Sequence, residues 1–249
     1  MSRATLIGLS YSPWTEKARW SLDHRHVDYK FEHYQPLLGE PGLRLRLRRL
    51  RGPVSVPVLV PTDGPAMDDS TRIARWANAH GEGSDLFPQE HAQEIDRWAD
   101  LSERSLAAGR GLALRRMVMD NDALAEMVPP PLRKLGSPAR VIAGVGVART
   151  LRKYQGHQKS DVEHEADLAG MLETLRQAVG KLAPGAPMLG TFTFADIAAS
   201  QMLTFVRPPA KGIRIGAASR RTFSSPVLEA RFLDLLAWRD ALYEAHRGL

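Results

Sequence analysis

The sequence predicts a small α/β unit over about the first 80 residues, followed by an all-helical region. Three observations carry this reading: short β-forming runs alternate with helical patterns as far as His80, Gly81 to Pro88 is punctuated by glycine and proline, and the pattern from Gln89 onward is almost wholly helical. Ala4 to Leu9 is short, apolar and rich in β-formers, and reads as the first strand. Charges at 16, 17, 19 and 23 then surround Trp14, Ala18 and Leu22 at helical spacing, which predicts a helix over Pro13 to His26. Strands follow near Tyr29 to Tyr34, Val56 to Val60 and Ala66 to Met67, and a helix near Ser70 to His80.

Beyond the linker at 82–88, Ile95, Trp98, Ser102 and Leu106 mark one face of a helix running from Glu90 to about Asp122. Leu168, Leu172, Leu175 and Val179 do the same for Asp161 to Leu182. The next helix opens with Thr193 as N-cap, Asp196 closing a capping box and Phe192 with Ile197 as the hydrophobic staple. A last helix is expected from about Pro226 to His246. The domains therefore divide as 1–81, linker 82–88 and 89–249. The stretch 128–160 holds Pro129-Pro130-Pro131 and an apolar run from Val141 to Ala148, with no acidic residue, and reads as an insertion or elongated helix pair. Packing of an added helix is the expected role, with lining of a pocket or contact with an anionic membrane as alternatives.

Composition narrows the function classes. The chain has 249 residues, 43% of them hydrophobic, and a formal charge of +6 with its 28 acidic residues spread widely, which suits anionic small ligands and only weakly suggests nucleic acid, so no nucleic-acid partner is expected. It contains no cysteine, which excludes disulfides, cysteine nucleophiles and thiolate metal sites, so any reacting thiol must come from a ligand. The histidines, His157 and His164 among them, show no metal spacing, and Gly144-Val145-Gly146 lacks the context of a dinucleotide fingerprint. With no leader pattern and no apolar run of about 20 residues, a cytoplasmic protein is expected.

Three segments carry chemistry. In Ser10-Tyr11-Ser12-Pro13-Trp14-Thr15, Ser12 reads as the N-cap and Pro13 as the first helical residue, where its missing N–H is no loss. The free N–H groups there favour an anion such as a thiolate or phosphate, and the same residues also serve as a plain helix cap. Val56-Pro57 stands where proline must begin a strand, and a cis bond would fix a tight turn with the Val56 main chain left open. Asp68-Asp69-Ser70-Thr71 begins the second helix with acidic and hydroxyl groups.

In order and spacing these segments, with Ile73 and Thr193-Phe194-Ala195-Asp196-Ile197, resemble a cytosolic glutathione transferase of the Ser/Tyr type over most of the chain. The resemblance implies a thioredoxin-like first domain, a helical-bundle second domain forming the electrophile pocket, a homodimer and a role in detoxification. It implies that glutathione is the co-substrate, that the Val56 backbone, before a cis bond to Pro57, pairs with its cysteinyl part and that Asp69 and Ser70 hold its γ-glutamyl end. Ser12 matches the first-turn residue that stabilises the thiolate, with Tyr11 and Ser10 behind it. One of Arg44, Arg46, Arg48, Arg49 or Arg51 is a candidate clamp for the glycine carboxylate, the alternative being a solvated basic face. Asp100 matches a position that touches glutathione across the dimer in some relatives. Ser55 and Asp69 depart from the commoner residues at their positions. The expected reaction is thiolate attack on a small hydrophobic electrophile, without a metal; a glutathione-dependent isomerase, dehalogenase or peroxidase, or a non-catalytic binding module, are the alternatives.

Overall fold

Strand β1 (Ala4–Gly8) lies inside a four-stranded sheet of order β2-β1-β3-β4, completed by β2 (Tyr29–His33), β3 (Val58–Val60) and β4 (Met67–Asp68). The computed structural model describes residues 3–36, 39–128, 141, 144–148 and 160–248. β1 runs parallel to β2 and antiparallel to β3, and β3 antiparallel to β4. The alternation of β1 sends its side chains to two cores. Ala4 and Leu6 pack with Ala18 and Leu22 of α1 (Pro13–His24) and with Ile73 and Ala77 of α3 (Ser70–His80). Ile7 faces the other side, with Val58, Val54 and Leu43 of α2 (Glu40–Arg46).

Helix α2 has no counterpart in the sequence reading. Gly39, Pro41 and Gly42 look like loop punctuation, yet proline is at ease in a first helical turn. At the first domain's far end, Arg25 donates to the carbonyls of Asn78, Gly81 and Gly83, and a Cβ on Gly81 or Gly83 would collide with the Arg25 or His24 main chain.

The helical region contains α4 (Ala92–Met119), α5 (Asn121–Met127), α6 (Asp161–Val179), α7 (Phe194–Gln201), α8 (Ala217–Phe223), α9 (Pro226–Arg231) and α10 (Leu233–His246). The predicted helix to Asp122 is broken because Asp120 turns extended (φ −111°, ψ 105°) and accepts hydrogen bonds from the N–H groups of Asp122 and Ala123, so it caps α5. The predicted final helix breaks at Phe232, whose backbone leaves the helical range (φ −120°, ψ 35°) with no side-chain cap. Ile95, Trp98, Ser102 and Leu106 are buried as expected, as are Leu168, Leu172, Leu175 and Val179. Of the 128–160 stretch, residues 144–148 are helical and Val147 packs against the core. Pro129, Pro130, Pro131 and His157 lie outside the described residues.

Candidate active site

The register of the sheet gathers three distant segments. Ile7 lies opposite Val58, and Val58 opposite Asp68, both in antiparallel pairs. The chain leaving β1 toward Ser12, the chain entering β3 through Val56 and Pro57, and the chain leaving β4 into Asp69 and Ser70 therefore share one end of the sheet.

At that end Ser12 caps α1. Its Oγ accepts a hydrogen bond from the Thr15 N–H at 3.4 Å, and Thr15 Oγ1 accepts one from the Leu9 N–H at 3.2 Å, which closes the turn from both sides. Gly8 is required beneath it, because a Cβ there would stand 2.5 Å from Thr15 Cγ2. A hydroxyl that only accepts keeps its own proton to donate, and Ser12 is 9% exposed at the helix N-terminus. The neighbouring hydroxyls have other surroundings. Ser10 Oγ donates to the Arg214 carbonyl at 3.4 Å. The Tyr11 ring stands edge-on to Phe223 at 6.3 Å, and burial, then nearby Tyr34, pushes its hydroxyl up to about 12. Tyr11 is thus a neutral donor at ordinary pH.

The Val56-Pro57 bond is cis. No main-chain hydrogen bond of Val56 occurs among the described residues. Asp69 has φ +79°, a conformation costing a non-glycine residue on the order of 1–3 kcal/mol. Its Oδ1 accepts from the N–H groups of Thr71 and Arg72, both at 2.9 Å, and Oδ2 accepts none among the described residues. Ser70 is buried, and its Oγ has no hydrogen-bond partner among the described residues.

Three of the candidate arginines have acidic partners. Arg44 pairs with Glu40, Arg46 with Glu32, and Arg49 with Asp68 at 2.6 Å, which brings Arg49 beside Asp69. Arg48 and Arg51 are exposed, without an acidic partner among the described residues. Asp100 is exposed on α4. Residues that sequence reasoning missed join the two domains: Glu103 of α4 accepts from Trp14 Nε1 at 2.7 Å and from the buried Lys17 ammonium, while the Arg110 guanidinium lies 4.8 Å over the Trp14 ring. Helical phase made Trp14 visible as apolar and Lys17 as charged, but nothing local announced their shared partner. Tyr11 and Trp14 belong to one apolar cluster with Leu106, Val147, Phe205 and Phe223.

A family model described as the glutathione S-transferase, N-terminal domain, matches residues 6–84. The first domain is similar to that N-terminal domain. Solved structures share the fold over the helical region as well. A glutathione transferase from Phanerochaete chrysosporium is 13% identical, with a TM-score of 0.66 and coverage of 100% of this chain and 98% of that one. A glutathione S-transferase from Methylobacterium radiotolerans, in complex with glutathione sulfonate, is 16% identical at TM-score 0.60, covering 100% and 96%. One from Methylobacillus flagellatus with glutathione bound is 17% identical at TM-score 0.56, covering 97% and 95%. By sequence, no curated protein matches the chain. The expected fold, a thioredoxin-like domain followed by helices, is the fold observed. Among the described residues no helix is long and apolar enough to cross a membrane, and no group of His, Asp and Glu is arranged to hold a metal ion.

Proposed function

We propose that the protein binds glutathione and conjugates its thiolate to a small hydrophobic electrophile, as a cytoplasmic homodimer with a detoxifying role and with its domains divided near residues 82–88. The convergence of Ser12, cis-Val56-Pro57 and the Ser70 hydroxyl, which is buried without a partner among the described residues, at one end of the sheet is the observation that supports this reading.

In this reading the open Val56 main chain pairs with the cysteinyl peptide group, and Ser70 with the first turn of α3 holds the γ-glutamyl carboxylate. Asp69 works in two directions: Oδ1 fixes the turn, and Oδ2 is left for the γ-glutamyl ammonium. Ser12 donates to sulfur. Lowering a thiol by about two units from roughly 8.5 requires about 2.7 kcal/mol, which one charge-assisted hydrogen bond of about 1.5–3 kcal/mol and a helix-terminus contribution supply. The thiolate then forms a bond to carbon of the electrophile, whose leaving group or π electrons carry away the displaced pair. The cluster around Tyr11, Trp14 and Phe223 supplies an apolar wall for that partner.

The test follows thermal unfolding with and without millimolar glutathione, then thiolate absorbance of the bound tripeptide against pH. Glutathione at a hundredfold excess over Kd should stabilise the protein by about 2.7 kcal/mol. In Ser12→Ala the shift should persist while the thiol pKa rises and the conjugation rate falls. Unchanged ionisation would remove Ser12 from the role, and absence of any shift would favour a binding module. A shift without turnover of an electrophile panel would move the reading to the isomerase, dehalogenase or peroxidase branch.

A further inference from the structure

Helix α2 and the turn that follows it divide their leucines between the core and the solvent. Leu43 is buried, and Leu47, four residues on, packs against the same cluster with Val54 and Val58. Leu45 and Leu50 turn the other way, 77% and 91% exposed, and no large apolar side chain among the described residues is more exposed than Leu50. The turn that holds them is built from specific bonds. The Arg49 N–H donates to the Arg44 carbonyl at 3.0 Å and the Arg48 N–H to the Leu45 carbonyl at 3.1 Å, the pair of bonds that closes a helix on a left-handed residue. That residue is Arg48, at φ +50°, a position glycine takes without the Cβ penalty. Arg49 ties the turn down through Asp68 at 2.6 Å and the Pro53 carbonyl at 3.2 Å.

The charges of this face do not balance. Residues 40–55 hold five arginines and one acidic residue, Glu40. Arg44, Arg46 and Arg49 are matched by Glu40, Glu32 and Asp68. Arg48 and Arg51 are left over, both exposed and without an acidic partner among the described residues, in the same stretch of chain as the two bare leucines. A small anion or an acidic segment would use the guanidiniums and leave the leucines in water. A nucleic acid would call for stacking rings, and 40–55 holds no aromatic residue. A surface that is anionic and apolar at once uses both sets of side chains. It also asks for no fixed guanidinium geometry, because arginine stems lie along the apolar boundary while their heads reach the phosphates.

We propose that the α2 face, through Leu45, Arg48, Leu50 and Arg51, docks the protein on the surface of an anionic lipid bilayer. The experiment is sedimentation of the full chain with sucrose-loaded vesicles of phosphatidylcholine, alone or mixed with phosphatidylglycerol, in the absence of glutathione. Binding to the mixed vesicles should be tighter by about tenfold or more. Arg48→Gly, which suits the backbone at φ +50°, should weaken it about fivefold, and adding Arg51→Gln should bring the loss to about 25-fold, the strength of one surface cation apiece. Leu45→Ser with Leu50→Ser keeps the charge and should weaken binding by about tenfold or more. Arg104→Gln with Lys181→Gln, which removes two exposed cations of the helical region, should leave it unchanged. Equal binding to both kinds of vesicle, no binding to either, indifference to the arginine or to the leucine changes, or an equal loss in the Arg104 and Lys181 variant would each overturn the proposal. So would polyglutamate binding as tightly as the mixed vesicles, which would give the face to an acidic protein instead. Docking uses none of Ser12, Val56 and Ser70, so these results hold whether or not the chain binds glutathione.

Discussion

The Ser70 hydroxyl is 1% exposed and bonds to nothing among the described residues, although a buried polar group without a partner forfeits its hydration. That gives Ser70→Ala an unusual expected signature. Urea unfolding without ligand should show stability unchanged or slightly raised, because no hydrogen bond is lost. Glutathione affinity should fall about tenfold, the lower range for a bond to a charged group. A loss of ligand-free stability with unchanged affinity would instead assign the hydroxyl to the fold. Ser12, Val56 and Ser70 were legible because each sits on a local signal: a Ser-Pro turn, an X-Pro bond and an Asp-Ser cap. The left-handed backbone of Asp69 carried no such signal. Nor did the pairing of Arg49 with Asp68 or of Lys17 with Glu103, whose partners are 19 and 86 residues apart.

Among the helices, α7 shows how far a local motif can be read before its environment changes its chemistry. The predicted capping box is present: Thr193 Oγ1 accepts from the Ala195 N–H, and Asp196 Oδ2 accepts from the Thr193 N–H at 2.8 Å. Sequence does not show that Asp196 is fully buried and also accepts from the Met188 N–H at 2.7 Å. Burial pushes its carboxyl up to about 6 against those hydrogen bonds. An unfolded Asp titrates near 3.9, so between about pH 4 and 6 the native state holds a proton that the unfolded state has released. The stability from this group is therefore fully present below about pH 4 and is lost as pH rises through about 6, by on the order of 3 kcal/mol. Asp196→Asn, which cannot titrate, should be less stable at acidic pH, with the gap to wild type narrowing from pH 4 to 6 in urea unfolding. A constant gap would mean that Asp196 is ionised throughout. The helix interruptions at Asp120 and Phe232 were not read, because periodicity continues across both; at Asp120 a capping carboxylate marks the break, at Phe232 only the backbone angles do.

Across the whole molecule the α1 helix is held by the far end of the chain, a relation that no local pattern contains. Trp20 Nε1 donates to the His246 carbonyl at 3.1 Å, and Arg247 reaches Glu16 at 2.6 Å and Asp23 at 2.8 Å. The Glu16 and Arg247 side chains are each 1% exposed, with Arg19 as the only other cation near Glu16, at 3.5 Å, among the described residues. Gly212, at φ +82°, passes so close that a Cβ there would strike the Glu16 carboxylate. A buried ion pair adds little relative to apolar residues of the same size, but breaking one strands a charge. Arg247→Met should therefore lose about 3–5 kcal/mol in urea unfolding, whereas Glu16→Met with Arg247→Met should lose much less than the sum of the single changes. Additive losses would show that the two side chains act separately, through packing alone. Since α1 presents Ser12 at its N-terminus, the coupling has a functional counterpart. In the proposed transferase, Arg247→Met should raise the pKa of the bound thiol, and the double variant should restore it, because what α1 needs at that end is a filled site and not a charge.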